Sequence, residues 1–226
     1  MCLVAVIETG NQTNTWRRCL ADATPAAVDA CTAIIVLDPQ NDGALVNRGI
    51  AYRRNGDVDR AIQDYETAIR LNPGAADAFN NRGNAFRAKE EFNLAIRDYN
   101  EAIRLNPHYA HAFNNRGIIF LDMGDADRAI LDFDRAIAED ESYANAFRNR
   151  GIASTQLGLF DRALEDFDAA FELNPAIGHG DEYALALYGR GVARQRESDP
   201  AGDADIEQAM RLLPHVAEVM AGTEDP

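Results

Sequence analysis

The tripeptide Asn-Arg-Gly occurs four times at one interval of 34 residues, as Asn47-Arg48-Gly49, Asn81-Arg82-Gly83, Asn115-Arg116-Gly117 and Asn149-Arg150-Gly151. A fixed period of this length marks one supersecondary unit stacked on copies of itself, each copy covering an apolar face that its neighbour cannot cover alone. Started at Asp42, the unit gives four gapless copies, 42–75, 76–109, 110–143 and 144–177. A degenerate fifth, 184–216, follows an insertion at 178–183 and is one residue short near Ser198 to Gly202. Residues 1–41 read as an N-terminal partial unit, because Pro39 stands ten residues before Gly49 just as Pro73 stands ten before Gly83. Residues 217–226 remain as a cap or tail.

Within each copy the apolar residues recur at helical spacing in two blocks parted by a turn. The first block carries Leu45, Phe79, Phe113, Phe147 and Leu187 in register, followed by Tyr52, Phe86 and Phe120. The second carries Ala61-Ile62, Ala95-Ile96, Ala129-Ile130 and Ala163-Leu164, then Tyr65, Tyr99, Phe133 and Phe167. The unit glycine and the later alanines, Ala68, Ala102 and Ala136, are expected where the two helices cross most closely. Gly56, Gly124 and Gly158 fall between the blocks, where a helix end favours a left-handed residue. The second copy has Glu90 there, which predicts a strained turn. Asn72-Pro73, Asn106-Pro107 and Asn174-Pro175 end the second block, because proline cannot continue the helical ladder. The third copy has Asp140-Glu141 instead, and its exit is the least defined by this pattern.

This arrangement resembles the tetratricopeptide repeat family over about Asp42 to Pro214. The resemblance implies an all-α, right-handed superhelical solenoid of antiparallel helix–turn–helix repeats. It also implies that the first helices line a concave groove that commonly holds an extended peptide. Family members with asparagine at the Asn-Arg-Gly position use it to grip peptide backbone. The family's carboxylate clamp for chaperone C-termini needs cations where this chain has Val46 and Ile50, so that clamp is not expected.

A helix turns by about 100° per residue, which puts the arginine of Asn-Arg-Gly on the packing face and the asparagine on the opposite one. A buried arginine needs a carboxylate, since an unpaired buried charge is costly. Each copy supplies one at a separation of 16 residues: Asp64, Asp98, Asp132 and Asp166. The fifth pairs Arg190 with Asp205 at 15, matching its deletion. These pairs read as register pins of the architecture. Asn47, Asn81, Asn115 and Asn149 would instead form a ladder whose amides both donate and accept, suited to the repeating N–H and C=O groups of an extended chain. Beside it the expected groove residues are Asn80, Asn84, Asn114, Arg53, Arg87, His111, Arg148 and Tyr188, the arginines favouring a partner with acidic groups. The competing reading of each asparagine is a brace or cap for a neighbouring helix.

The formal charge of −15 and pI near 4.6 argue against nucleic-acid binding, which needs a basic stripe. No apolar stretch approaches the roughly 20 residues of a membrane span. Met1 to Gly10 lacks a basic n-region and a cleavage pattern, so a cytoplasmic location is expected as encoded, with an exported form following only from a different start site. Cys19 and Cys31 flank a candidate turn at 21–25. They are expected as two buried free thiols, or as a disulfide stapling the partial unit in an oxidising compartment. No nucleotide loop, metal-protease helix or nucleophile elbow is present, and His108 with His111, or His179 with Asp181 and Glu182, falls short of a metal-ligand set. No cofactor or metal is expected, and the protein reads as a non-enzymatic, monomeric peptide-binding module. The alternative is a self-assembling scaffold joined through its fifth repeat, the insertion and the C-terminal segment.

Overall fold

The computed structural model describes residues 15–20, 25–177, 180–196 and 198–222. It divides into two compact units, Met1–Ala112 and Phe113–Pro226. Every regular element among the described residues is helical, in the order α1 (15–20), α2 (Pro25–Leu37), α3 (Asp42–Arg54), α4 (Val58–Leu71), α5 (Ala76–Ala88), α6 (Phe92–Leu105), α7 (Ala110–Asp122), α8 (Ala126–Glu139), α9 (Ala144–Gln156) and α10 (Phe160–Leu173). A short 3-10 turn at Pro175–Ile177 precedes α11 (Gly180–Arg196), α12 (Ala201–Leu212) and α13 (Val216–Gly222). The first helix of each full repeat opens where the period places it, at Asp42, Ala76, Ala110 and Ala144.

In the first unit α3 pairs with α4 and α5 with α6, and α4 packs on α5. Their core holds Leu45, Ala61, Tyr65, Ala68, Ala78 and Ala85. Close approach depends on the repeat glycine: a methyl at Gly49 would stand 2.5 Å from the Tyr65 ring and one at Gly83 2.7 Å from Tyr99. Both are inside van der Waals contact, so the ring can occupy that space only beside glycine. The second unit repeats this with Gly117 against Phe133 and Gly151 against Phe167, and its core gathers Leu164, Phe167, Leu187, Leu213 and Val216. Val216 of α13 is fully buried, so the C-terminal segment covers the last apolar face of that unit, although Val219 is exposed.

The turns follow the predicted punctuation. Gly56, Gly124 and Gly158 adopt φ of 85°, 76° and 72°, and Glu90 is forced to φ 59° at the same place. The third repeat's exit is as regular as the others, because Asp140 accepts from Ser142 N at 2.9 Å as Asn72 does from Gly74 N at 3.1 Å and Asn106 from His108 N at 3.1 Å. The side-chain acceptor makes the turn, with or without the proline after it. The insertion differs from expectation: its last four residues, Gly180 to Tyr183, are the first turn of α11. Asp181 and Glu182 favour this, standing where a helix N-terminus attracts negative charge.

In the N-terminal partial unit, Trp16 and Cys19 of α1 pack with Ala30, Cys31 and Ile34 of α2. Cys19 and Cys31 are joined as a disulfide with Cα atoms 4.8 Å apart, which corrects the expectation of two free thiols: the helices bring the sulfurs within bonding reach. Cys2, Asn14 and His179 lie outside the described residues.

Candidate functional site

The arginine of each Asn-Arg-Gly is turned inward and held by the carboxylate 16 residues on. Arg48 donates through Nε and Nη2 to Asp64 at 2.8 and 2.7 Å, and Arg82 to Asp98 at 2.7 and 2.8 Å. Arg116 and Asp132 meet at 2.7 Å twice, Arg150 and Asp166 at 2.9 and 2.5 Å, and Arg190 and Asp205 at 2.8 Å twice. These are bidentate charge-assisted bonds, the strong class. Hydrogen bonding to Asp98 raises the Arg82 pKa, against the lowering that burial would cause. At Asp166 burial wins and raises the carboxyl, despite Arg150 opposing it.

A second link was not anticipated. Arg48 Nη1 also donates to Thr32 at 3.2 Å and Arg150 Nη1 to Asp134 at 2.6 Å, each 16 residues upstream on the preceding second-type helix. The arginine therefore stands midway between two acceptors, closing its own hairpin and binding it to the previous one. The guanidinium also covers an aromatic face: Arg82 lies 5.6 Å from the Phe79 ring centre and Arg150 5.4 Å from that of Phe147. The spacing was visible in the sequence, but Thr32 and Asp134 differ in type and gave no repeated motif to follow.

Beside the arginines recur four asparagines that take no part in the ion pairs. Asn47, Asn81, Asn115 and Asn149 are all half-buried and hold one register position. Asn81 Nδ2 donates to the Asp77 carbonyl at 2.9 Å, one turn back, and Asn149 Nδ2 donates to Asn114 Oδ1 at 2.9 Å. The amide hydrogens thus serve partly as braces, in line with the competing reading, and they orient the oxygens.

The other predicted groove residues divide. Asn80 and Asn114 are buried, 5% and 3% exposed, and do not line an open surface. Asn114 is enclosed because its partner Asn149 reaches across from α9. Asn84 is half-buried and accepts from the Tyr99 hydroxyl at 2.8 Å, tying α5 to α6. Arg148 donates to Glu182 at 2.8 Å, so the insertion neutralises a cation expected to face a ligand. Tyr188 is half-buried beside a cavity of about 300 Å³ shared with Phe160, Val192, Arg196 and Met220. His111 is exposed, edge-on to Tyr109 at 6.3 Å. Arg53 and Arg87 are half-buried near the ends of α3 and α5.

The outer positions of the second-type helices, including Asp59, Arg60, Gln63, Asn93, Arg97, Asp127 and Glu165, are exposed and form a mixed-charge solvated face. Among the described residues no group of three or more His, Cys, Asp or Glu could hold a metal ion, and no helix is long and apolar enough to cross a membrane.

Comparison with curated proteins finds no match. Among solved structures, YrrB, titled a TPR protein with an unusual peptide-binding site, superposes with a TM-score of 0.68 at 22% identity, over 87% of this chain and 99% of that one. MamA is similar at 28% identity with a TM-score of 0.58, covering 67% of this chain and 88% of its own. The first TPR of Spaghetti (RPAP3), solved bound to the HSP90 peptide SRMEEVD, shares 26% identity at a TM-score of 0.50, over 53% of this chain and 95% of that one. The tetratricopeptide repeat model matches residues 46–110, 81–144 and 114–176, more than half of the chain. The chain belongs to the tetratricopeptide repeat family.

Proposed function

We propose that the protein is a non-catalytic interaction module that holds an extended segment of a partner protein against its asparagine-bearing helices. Asn47 and Asn81 serve in the first unit, Asn115 and Asn149 in the second. The observation that carries this reading is the recurrence of one half-buried asparagine in four repeats, beside an arginine bound to the aspartate of its own hairpin. A residue repeated with the architecture, yet not required by the ion pair that maintains it, points to a repeating ligand, and the repeating ligand of a protein surface is a peptide main chain. Asn81 and Asn149 use an amide hydrogen for bracing, which aims the side-chain oxygen as an acceptor for peptide N–H groups.

Two similar structures support a peptide as the ligand, one through its peptide-binding site and one through its bound acidic peptide. Arg53 and Arg87 favour acidic groups in the partner, the more so in a chain whose overall charge of −15 repels acidic ligands elsewhere.

The test compares the full chain with the Asn47→Ala/Asn81→Ala and Asn115→Ala/Asn149→Ala variants as baits in extracts of cells that express the protein. Captured proteins are identified by mass spectrometry and folding is checked by circular dichroism. The reading expects partners to be lost at unchanged helicity. An identical set of partners on all three baits contradicts it.

A further inference from the structure

The first repeat buries two hydrogen-bond donors and gives neither an acceptor in bonding geometry. Tyr65 is 0% exposed and its hydroxyl meets no acceptor, and the buried Nε of Arg53, the neighbour whose hydrogen-bonding influence lowers the phenol's pKa, meets none either. Buried polar groups in folded proteins are nearly always satisfied, so a pair of exceptions at one place calls for an explanation. The second repeat shows how the same site closes: Tyr99 donates to Asn84 Oδ1 at 2.8 Å. The residue 34 positions before Asn84 is Ile50, which has no acceptor. In the third and fourth repeats the ring is Phe133 and Phe167, with no hydroxyl to satisfy. The unmet phenol is thus confined to the first repeat and stands where Ile50 replaces the acceptor; the one other unpaired buried hydroxyl among the described residues, Ser154 in the fourth repeat, is not accompanied by an unpaired arginine nitrogen.

Internal rearrangement does not remove the deficit. A bond from Arg53 Nε to the Tyr65 oxygen would satisfy the arginine and still leave the phenolic hydrogen without an acceptor. What the site lacks is an acceptor, and its charge selects an anionic one. Burial drives the phenol up to about 12, while Arg53 and Arg54 both act against that rise. Asp64, the carboxylate acting in the other direction, is already committed to Arg48.

We infer that Arg53 and Tyr65 form a carboxylate subsite, in which an aspartate or glutamate side chain of the bound peptide accepts from the Tyr65 hydroxyl and from Arg53 Nε. This rests on the peptide-holding role proposed above and names the side chain that role selects in the first unit. Arg53 is half-buried and carried on a long unbranched stem, so it turns outward to admit the ligand and uncovers the hydroxyl as it does so. The subsite is separate from the main-chain contacts of Asn47 and Asn81, and it discriminates among peptides that those contacts hold equally.

The experiment selects binders for the full chain from a displayed library of randomised peptides and repeats the selection on Ile50→Asn, Arg53→Gln and Tyr65→Phe. Ile50→Asn supplies the acceptor that Asn84 provides in the second repeat, so it satisfies the hydroxyl internally and removes the vacancy without removing either donor. Wild type is expected to yield peptides with an acidic residue at one fixed position, and replacing that residue by its amide weakens binding about tenfold. The three variants still yield peptides but lose the acidic preference. Equal acidic preference on wild type and Ile50→Asn overturns the subsite while leaving the peptide-holding role intact. Failure of wild type to select any peptide overturns that role and the subsite together.

Discussion

Arg82 grips Asp98 through two parallel N–H···O bonds of 2.7 and 2.8 Å, and the aspartate side chain in that grip is 2% exposed. Removing one partner of a buried pair costs more than the pair itself contributes, because the survivor is left charged and unpaired. Asp98→Ala should therefore destabilise the protein by about 3 kcal/mol. Glu101→Ala breaks a solvent-screened pair with Arg104 on the same helix and should leave the unfolding midpoint close to that of the unaltered chain. Urea unfolding of the two variants checks this, and equal midpoints would refute the structural assignment of the arginines.

Gly83 is required by the ring behind it. The methyl of Gly83→Ala would sit 2.7 Å from Tyr99, and relieving that overlap must spread α5 from α6 or push the ring off its rotamer. A loss of about 1–3 kcal/mol is expected. Trimming the ring in a Gly83→Ala/Tyr99→Leu double variant should recover part of it, as thermal melts of the single and double variants would reveal.

Glu90 occupies a turn position that its counterparts fill with glycine, at φ 59°. A side chain in the left-handed region is disfavoured by roughly 1–2 kcal/mol, of which the looser unfolded chain of a glycine variant takes back a part. Glu90→Gly should stabilise the protein by about 1 kcal/mol, and Gly56→Ala should destabilise it by a similar amount. Chemical denaturation midpoints moving in the same direction would contradict this.

Burial raises the phenols of Tyr65 and Tyr143 to about 12. A folded-state value above the unfolded one of about 10 means that the folded chain keeps these protons longer. The stability they confer is complete below pH of about 10 and declines as pH rises from there toward 12. Phenolate absorbance should show late-titrating tyrosines, with Tyr65 and Tyr143 among them. Tyr65→Phe should remove one late step and flatten the alkaline loss of stability.

The parts of this molecule legible in the sequence are those that each repeat settles within itself. The 16-residue spacing of arginine and aspartate, the glycine under the ring and the misfit at Glu90 are local to one hairpin, and local geometry carries them. What escaped depends on a neighbouring element. Helical arithmetic on α7 alone leaves Asn114 facing outward, whereas Asn149 of α9 encloses it. Arg148 reads as a free groove cation until the insertion folds into α11 and presents Glu182. Asp140-Glu141 lacks the proline that marks the other exits, but the turn is made by a side-chain acceptor that aspartate and asparagine share. The contrast between Ile50 and Asn84 is plain in the aligned repeats, but it gains meaning only once the tyrosine hydroxyl is seen to end at that position.

The most direct measurement follows the side-chain amides of the asparagines themselves. With asparagine selectively isotope-labelled, the amide resonances of Asn47, Asn81, Asn115 and Asn149 are recorded while a peptide selected on the wild-type chain is added. The account predicts saturable shifts in the asparagines of at least one unit, with Asn93 on the outer face unmoved. Tight binding of the peptide with all four amides unmoved would contradict it.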